Sequence, residues 1–313
     1  MPSFRLLSSL LVLWIGLGLA ACESSSGGGS GSDPIEIAGS IAADATWSGT
    51  VHLTEPADIQ AGVNIHIAAG TKFAAAQDAM LRVYGSLWVD GTAQRPVSME
   101  PLEGATSWAG VFVETGGLAE IRNVTGSKVS VFLFTSPGAL ECLIDSAQLS
   151  DLFRAVDVSS VASIANSNFH DLQSAAVAVT PAGDLTITDS YFWGTPADLV
   201  LMTGGRLTMS YCEIGSTNST QHGDLYLSSP TALNISYCNI LGAVYGIMIG
   251  GANQAVLQYN NFLQNDFDVG ELGANTAVDM SFNYWDSGPP SLGAAYDFSS
   301  ASPSPIAAAG PRG

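Results

Sequence analysis

Four histidines, His52, His66, His170 and His222, lie far apart in the 313-residue chain. No two of them share a short segment at metal-ligand spacing, so solvated surface imidazoles are the expectation. Asp266, Asp268 and Glu271 crowd one segment beside Asn265. That is enough oxygen for a calcium ion, but also what a plain solvated acidic loop looks like, and no metal site is assigned. Cys212 and Cys238 occupy the same position in two successive copies of a repeat. In stacked strands their Cα atoms would lie about 4.8 Å apart, which a disulfide tolerates. In-register parallel neighbours, however, point their side chains the same way, which favours two separate inward thiols. The sequence leaves both arrangements open. Cys142 falls two residues before its unit and is expected to be unpaired. Trp193, Tyr226 and Tyr245 fall beside strands or in turns, where their rings could stack on sugars. No base recurs at fixed spacing beside a nucleophile, so the sequence gives no catalytic residue and no cofactor.

The elements that must position these residues announce themselves by repetition. A six-residue pattern begins at Ile144, Ile164, Ile187, Met209, Ile235, Leu257 and Met280, at intervals of 20, 23, 22, 26, 22 and 23 residues, with a weaker copy at Ile121. Its first and sixth residues are apolar but of opposite parity, so no single straight strand can point both inward and the chain must bend between them. The fourth position holds Ala147, Ser167, Ser190, Cys212, Cys238, Asn260 and Asn283, small or amide side chains able to stack at a corner and satisfy backbone groups there. About twelve residues after each first apolar position comes a second alternating strand, as at Val177 and Val179 or Ile247 and Ile249. Three short strands per turn of about 22 residues is the pattern of a right-handed parallel β-helix, an all-β solenoid of some ten to twelve coils. Leucine-rich repeats would need a Leu-x-x-Leu-x-Leu frame and propeller blades about twice the period; neither is present.

The stretches Asn64-Ile65-His66-Ile67 and Ser86-Leu87-Trp88-Val89 fit the same architecture with looser coils, as does Trp108-Ala109-Gly110-Val111. They resemble the opening coils of bacterial exported β-helix proteins. Asn283-Tyr284-Trp285-Asp286-Ser287-Gly288-Pro289-Pro290 is similar to the Asn-Tyr-Trp-Gly signature with trailing Gly-Pro that closes many such domains, with Asp286 in place of the Gly. The resemblance implies the pectin-lyase-like fold over about residues 35–296. Capping falls to residues 35–50 and to Tyr284-Trp285, and residues 297–313, rich in Ala, Ser and Pro, are expected to be disordered.

At the N-terminus, residues 1–21 carry Arg5, an apolar run from Leu10 to Leu19 and a small-residue finish, the form of an export signal. Leu19-Ala20-Ala21-Cys22 resembles the lipobox of bacterial lipoproteins, which implies lipidation of Cys22 and cleavage just before it. Residues 22–34 then read as a Ser/Gly tether. Glu23 stands where an Asp would be the usual inner-membrane retention signal, so the resemblance implies an outer-membrane destination. On which side of that membrane the body lies is left open.

Charge narrows the partners. Nine basic residues oppose 28 acidic ones, a net charge of −19, which repels nucleic acid and acidic lipid headgroups. The 47% hydrophobic content suffices for a large core. The fold is shared with pectate lyases and polygalacturonases, so an enzyme acting on acidic polysaccharide is the alternative to weigh. Lyases of that kind need carboxylates for calcium and a basic residue to take a proton, and after Lys128 the coils offer only Arg154 and Arg206. Hydrolases of the fold use Asn-Thr-Asp, Asp-Asp, His-Gly and Arg-x-Lys sets, of which only His222-Gly223 is matched. The expectation is therefore a non-enzymatic, lipid-anchored envelope protein that presents a side face to a protein or a glycan. A polysaccharide lyase or hydrolase and an envelope metal-binding accessory protein stand as alternatives.

Overall fold

The bend that the repeat demands is made by a single residue. In the computed structural model, which describes residues 33–215 and 223–312, the third residue of each unit takes a left-handed conformation. Asn123, Ser146, Asn166, Asp189, Tyr211, Tyr237, Tyr259 and Phe282 all have φ between 48° and 62°. One such residue reverses side-chain parity, so the apolar positions on either side of it both point inward. Ile144, Ile164, Ile187, Met209, Ile235 and Leu257 form one buried file in strict register. Leu149, Phe169, Phe192, Ile214, Ile240, Phe262 and Trp285 form a second. Phe169 and Phe192 stack at 5.1 Å within it.

Each turn carries three strands, such as Val161–Ala165, Asn168–His170 and Val177–Val179. Every strand pairs in parallel with the equivalent strand of the next turn. The first strands of the turns build a twelve-stranded sheet from Ala45–Trp47 to Tyr296–Asp297, here called the first face. The second and third faces belong to one 21-stranded sheet that folds around a corner. Thr50–Ile59 runs through that corner, pairing with Lys72–Ala75 on one face and with Leu81–Val83 on the other. No helix occurs among the described residues.

The fourth position of the unit is buried and closes the corner's hydrogen bonds. Ser167 Oγ accepts from Ala147 N at 3.1 Å and Ser190 Oγ accepts from Ser167 N at 3.2 Å. Further along, the amides take over. Asn260 Oδ1 accepts from Cys238 N at 2.9 Å while its Nδ2 donates to Ile235 O at 2.9 Å, and Asn283 Oδ1 accepts from Asn260 N at 2.7 Å. Asn260→Ala orphans a buried donor and a buried acceptor together, at an expected cost of about 2–4 kcal/mol in equilibrium denaturation. Asn260→Ser should retain much of that, since Ser fills the same position three and four turns earlier, at Ser190 and Ser167. Equal loss in the two variants would remove the ladder's claim to stability.

The ends are closed by aromatics. Trp47 is buried and stacks on Phe73 at 6.5 Å, and Phe73 meets Trp108 at 5.8 Å. At the other end Trp285 stacks on Phe262 at 4.2 Å and meets Phe298 edge-on at 5.6 Å.

The tail departs from the expectation of disorder. After the strand Tyr296–Asp297, Ser302 N donates to Asn283 O, and the chain then turns back along the second face. Ile306, Ala309, Gly310 and Arg312 are hydrogen-bonded in turn to Asn261, Asn239, Tyr237 and Asp189. Backbone hydrogen bonding and one ion pair hold it rather than apolar burial, so an Ala/Ser/Pro-rich composition gave no hint of it. The export signal, Cys22 and most of the tether lie outside the described residues, as does His222.

Candidate functional site

Outward side chains of successive turns stand in columns, and one column near the N-terminal end of the first face is unlike the rest. Thr46, His66, Trp88 and Glu120 follow one another in register on adjacent strands. The His66 and Trp88 rings stack at 4.7 Å with an interplanar angle of 12°. On the other side of His66 the column holds only the short side chain of Thr46, and there a depression of about 530 Å³ opens, lined by Asp44, Ala45, Thr46, Asn64, His66 and Trp88.

Polar groups set its rim. Asp44 Oδ1 accepts from Asn64 N at 2.7 Å, and both of its oxygens lie 3.3 Å from Asn64 Nδ2. This ties the loop before the first strand to the next coil. His66 Nδ1 lies 2.8 Å from Asp90 Oδ2. An ionised carboxylate can only accept, so the Nδ1 proton faces Asp90 and Nε2 of the neutral ring is left as an acceptor. The depression thus offers a flat ring surface, carboxylate oxygens and an imidazole nitrogen within one small site. Flat apolar surface edged by a few fixed polar groups is the usual make-up of a small-ligand site.

The three aromatics singled out in the sequence are not brought together. Trp193 lies on the second face, in register between His170 and Gly215. Tyr226 lies on the third face between Leu201 and Met248. Tyr245, on the same face, stacks on Phe267 at 5.1 Å. The charged candidates are engaged locally. Arg154 pairs with Asp157 at 2.7 Å, Arg206 with Asp184 at 3.2 Å, His52 with Glu36 at 3.1 Å and His170 with Asp171 at 2.8 Å. In the acidic segment Asp268 is buried and accepts from Asn265 Nδ2 at 3.0 Å. Burial raises its carboxyl above the usual range, although the Asn265 bond opposes the shift. Among the described residues no three His, Cys, Asp or Glu side chains converge on a point that could hold a metal.

The disulfide between Cys212 and Cys238 is not formed; both are buried thiols, as is Cys142. Cys212 Sγ donates to Ser210 O at 3.3 Å and Cys238 Sγ to Ser236 O at 3.4 Å, the same bond one turn apart. The side chains run parallel rather than toward each other. Burial, reinforced by the neighbouring Cys238, pushes the Cys212 thiol well up, and burial pushes that of Cys142 up to about 11. Both therefore stay protonated and unreactive.

The sequence family described as right handed beta helix region matches residues 109–283. Among curated proteins no sequence matches. Among solved structures, the catalytic domain of a GH87 alpha-1,3-glucanase variant in complex with tetrasaccharides is similar at 10% identity with a TM-score of 0.28, over 80% of this chain and 65% of that one. The chain thus spans less than two thirds of that domain.

Proposed function

This chain belongs to the right-handed β-helix family, and we propose that it is a non-enzymatic, lipid-anchored protein of the bacterial outer membrane that binds a neutral glycan on its first face. The single observation that carries the glycan reading is the His66–Trp88 stack, 4.7 Å between centroids, beside the depression rimmed by Asp44 and Asn64. A pyranose ring has one apolar face of C–H groups and an equatorial rim of hydroxyls. The ring surface takes the first; Asp44 and His66 Nε2 accept hydrogen bonds from the second. The net charge of −19, with Asp90 and Glu120 close by, disfavours uronans and phosphorylated glycans, so a neutral sugar is the class assigned.

The anchor rests on Leu19-Ala20-Ala21-Cys22 and the Ser/Gly segment behind it. Cys22→Ser is expected to move the protein from the membrane pellet to the soluble fraction of cell lysates; an unchanged distribution would remove the lipid from the account. For the glycan, intrinsic fluorescence is titrated with neutral oligosaccharides while reducing ends are assayed in the same samples. Saturable quenching with no new reducing ends is expected. Sustained release of reducing ends from any of them would replace this reading with a glycoside hydrolase.

A further inference from the structure

The tail along the second face occupies a built site. Asn261, whose neighbours in register are Asn239 and Tyr284, grips one tail residue on both sides of its backbone: Oδ1 accepts from Ile306 N at 2.7 Å and Nδ2 donates to Ile306 O at 3.1 Å. Tyr237 O accepts from Gly310 N at 2.8 Å, and Asn239 Nδ2 lies 3.5 Å from Ala309 O. Six residues beyond Ile306, Arg312 is held from two directions. Its Nε and Nη2 donate to Asp189 Oδ1 and Oδ2 at 2.8 and 2.7 Å, and its guanidinium lies 3.7 Å above the centroid of the Tyr211 ring. Tyr211 in turn ends a stack with Tyr237, Tyr259 and Phe282, with rings 5.1 to 5.2 Å apart. These groups come from four successive turns, and the solenoid's own pairing fixes their spacing.

What this arrangement reads is specific in kind. Asn261 and Tyr237 bond to backbone, which any peptide able to make the same turn supplies, whereas Asp189 and the Tyr211 face together select a guanidinium. A lysine would satisfy Asp189 through one ammonium but could not present two parallel N–H groups and a flat face at once. We propose that the second face of this solenoid, with the corner that precedes it, is a binding groove for an arginine-containing peptide that turns as residues 306–309 do, where Ala309 N donates to Ile306 O at 3.1 Å, and that it is filled in the resting protein by the chain's own residues 303–312. The groove lies on a different face from the glycan depression and does not depend on it.

The test uses the full-length chain with its tail disarmed and the groove intact, as Ile306→Pro/Arg312→Ala. That pair removes the donor that Asn261 accepts and the group that Asp189 clamps. The probe is a fluorescein-labelled peptide corresponding to residues 302–313, followed by anisotropy. The double variant is expected to bind it saturably and at least about tenfold more tightly than the wild type, whose groove is occupied. Two controls are expected to lose about tenfold or more: the same peptide carrying Arg312→Ala, and Asp189→Asn added to the double variant. Equal affinity of wild type and double variant, failure of the folded double variant to bind, or indifference to Asp189→Asn would each overturn the groove. Since Asp189 and the tail lie at the surface, these substitutions leave the inward files untouched. Circular dichroism and the melting midpoint report that the variants are folded.

Discussion

Gly110→Ala is expected to be the most damaging single substitution on the solenoid's backbone. Gly110 has φ +119°, and a Cβ placed on it would lie 1.7 Å from the carbonyl oxygen of Val131 on the next turn. The clash is with main chain whose position is set by neighbouring pairs: Val131 N donates to Ala109 O, and Leu133 pairs with Val111. No rotamer relieves it. The strand Gly110–Val113 must shift away from Val131–Thr135, and because each turn is supported only by the turns beside it, the loss spreads along the third face. An expected cost on the order of 4 kcal/mol or more follows, seen as a fall in the melting midpoint of about 10 °C or more. Gly116→Ala is the matched control. Gly116 also has positive φ, +81°, but nothing lies within 4 Å of its added Cβ, so only the left-handed strain of about 1–2 kcal/mol applies. Equal effects would mean that backbone conformation, and not the close approach of successive turns, sets the demand for glycine.

Trp88→Ala is expected to have the largest effect on ligand binding while sparing the fold. Trp88 points outward between the buried Leu87 and Val89, so its removal opens no cavity in the core. It does take away the ring that backs His66 and one wall of the depression. Stacked aromatic contacts contribute about 0.5–1.5 kcal/mol beyond the area they bury. With the buried area added, a loss of affinity of about 30-fold or more for a neutral oligosaccharide is expected. His66→Phe keeps a flat ring but removes the Nε2 acceptor and the tie to Asp90, and should weaken binding by about tenfold. Trp193→Ala, on another face, is expected to leave affinity unchanged. If instead Trp193→Ala and not Trp88→Ala abolished binding, the ligand would sit on the second face.

The architecture was legible because a solenoid writes its geometry into sequence directly. Apolar residues of opposite parity at Ile187 and Phe192 required a bend between them, and the regular interval of about 22 residues required stacking. The site was only partly legible. His66 and Trp88 stand at the same parity in coils 22 residues apart, which places them as outward neighbours. That signal lies in coils outside the strict six-residue pattern, and a mixed His–Trp pair is neither a histidine pair at metal-ligand spacing nor an aromatic beside the later strands. Trp193 and Tyr226, expected beside strands or in turns, lie within the strands Tyr191–Trp193 and Gly223–Ser228 on different faces, because which face a strand belongs to depends on where each corner falls. The bound tail was illegible because its contacts are made by backbone atoms of Ile306 and Gly310, which side-chain composition does not record. The separate thiols of Cys212 and Cys238 follow from the same parallel register that stacks the coils.

The central claim is that a neutral sugar rests in the depression beside His66 and Trp88 and leaves unaltered. Two-dimensional NMR of the tryptophan indole N–H resonances, recorded while a neutral oligosaccharide is added and followed by mass analysis of the recovered sugar, addresses both halves at once. The account predicts that the Trp88 resonance moves with saturation, that those of Trp193 and the buried Trp108 and Trp285 stay in place, and that the sugar is recovered at full length. A stationary Trp88 resonance at saturating sugar, or recovery of shortened fragments, would contradict it.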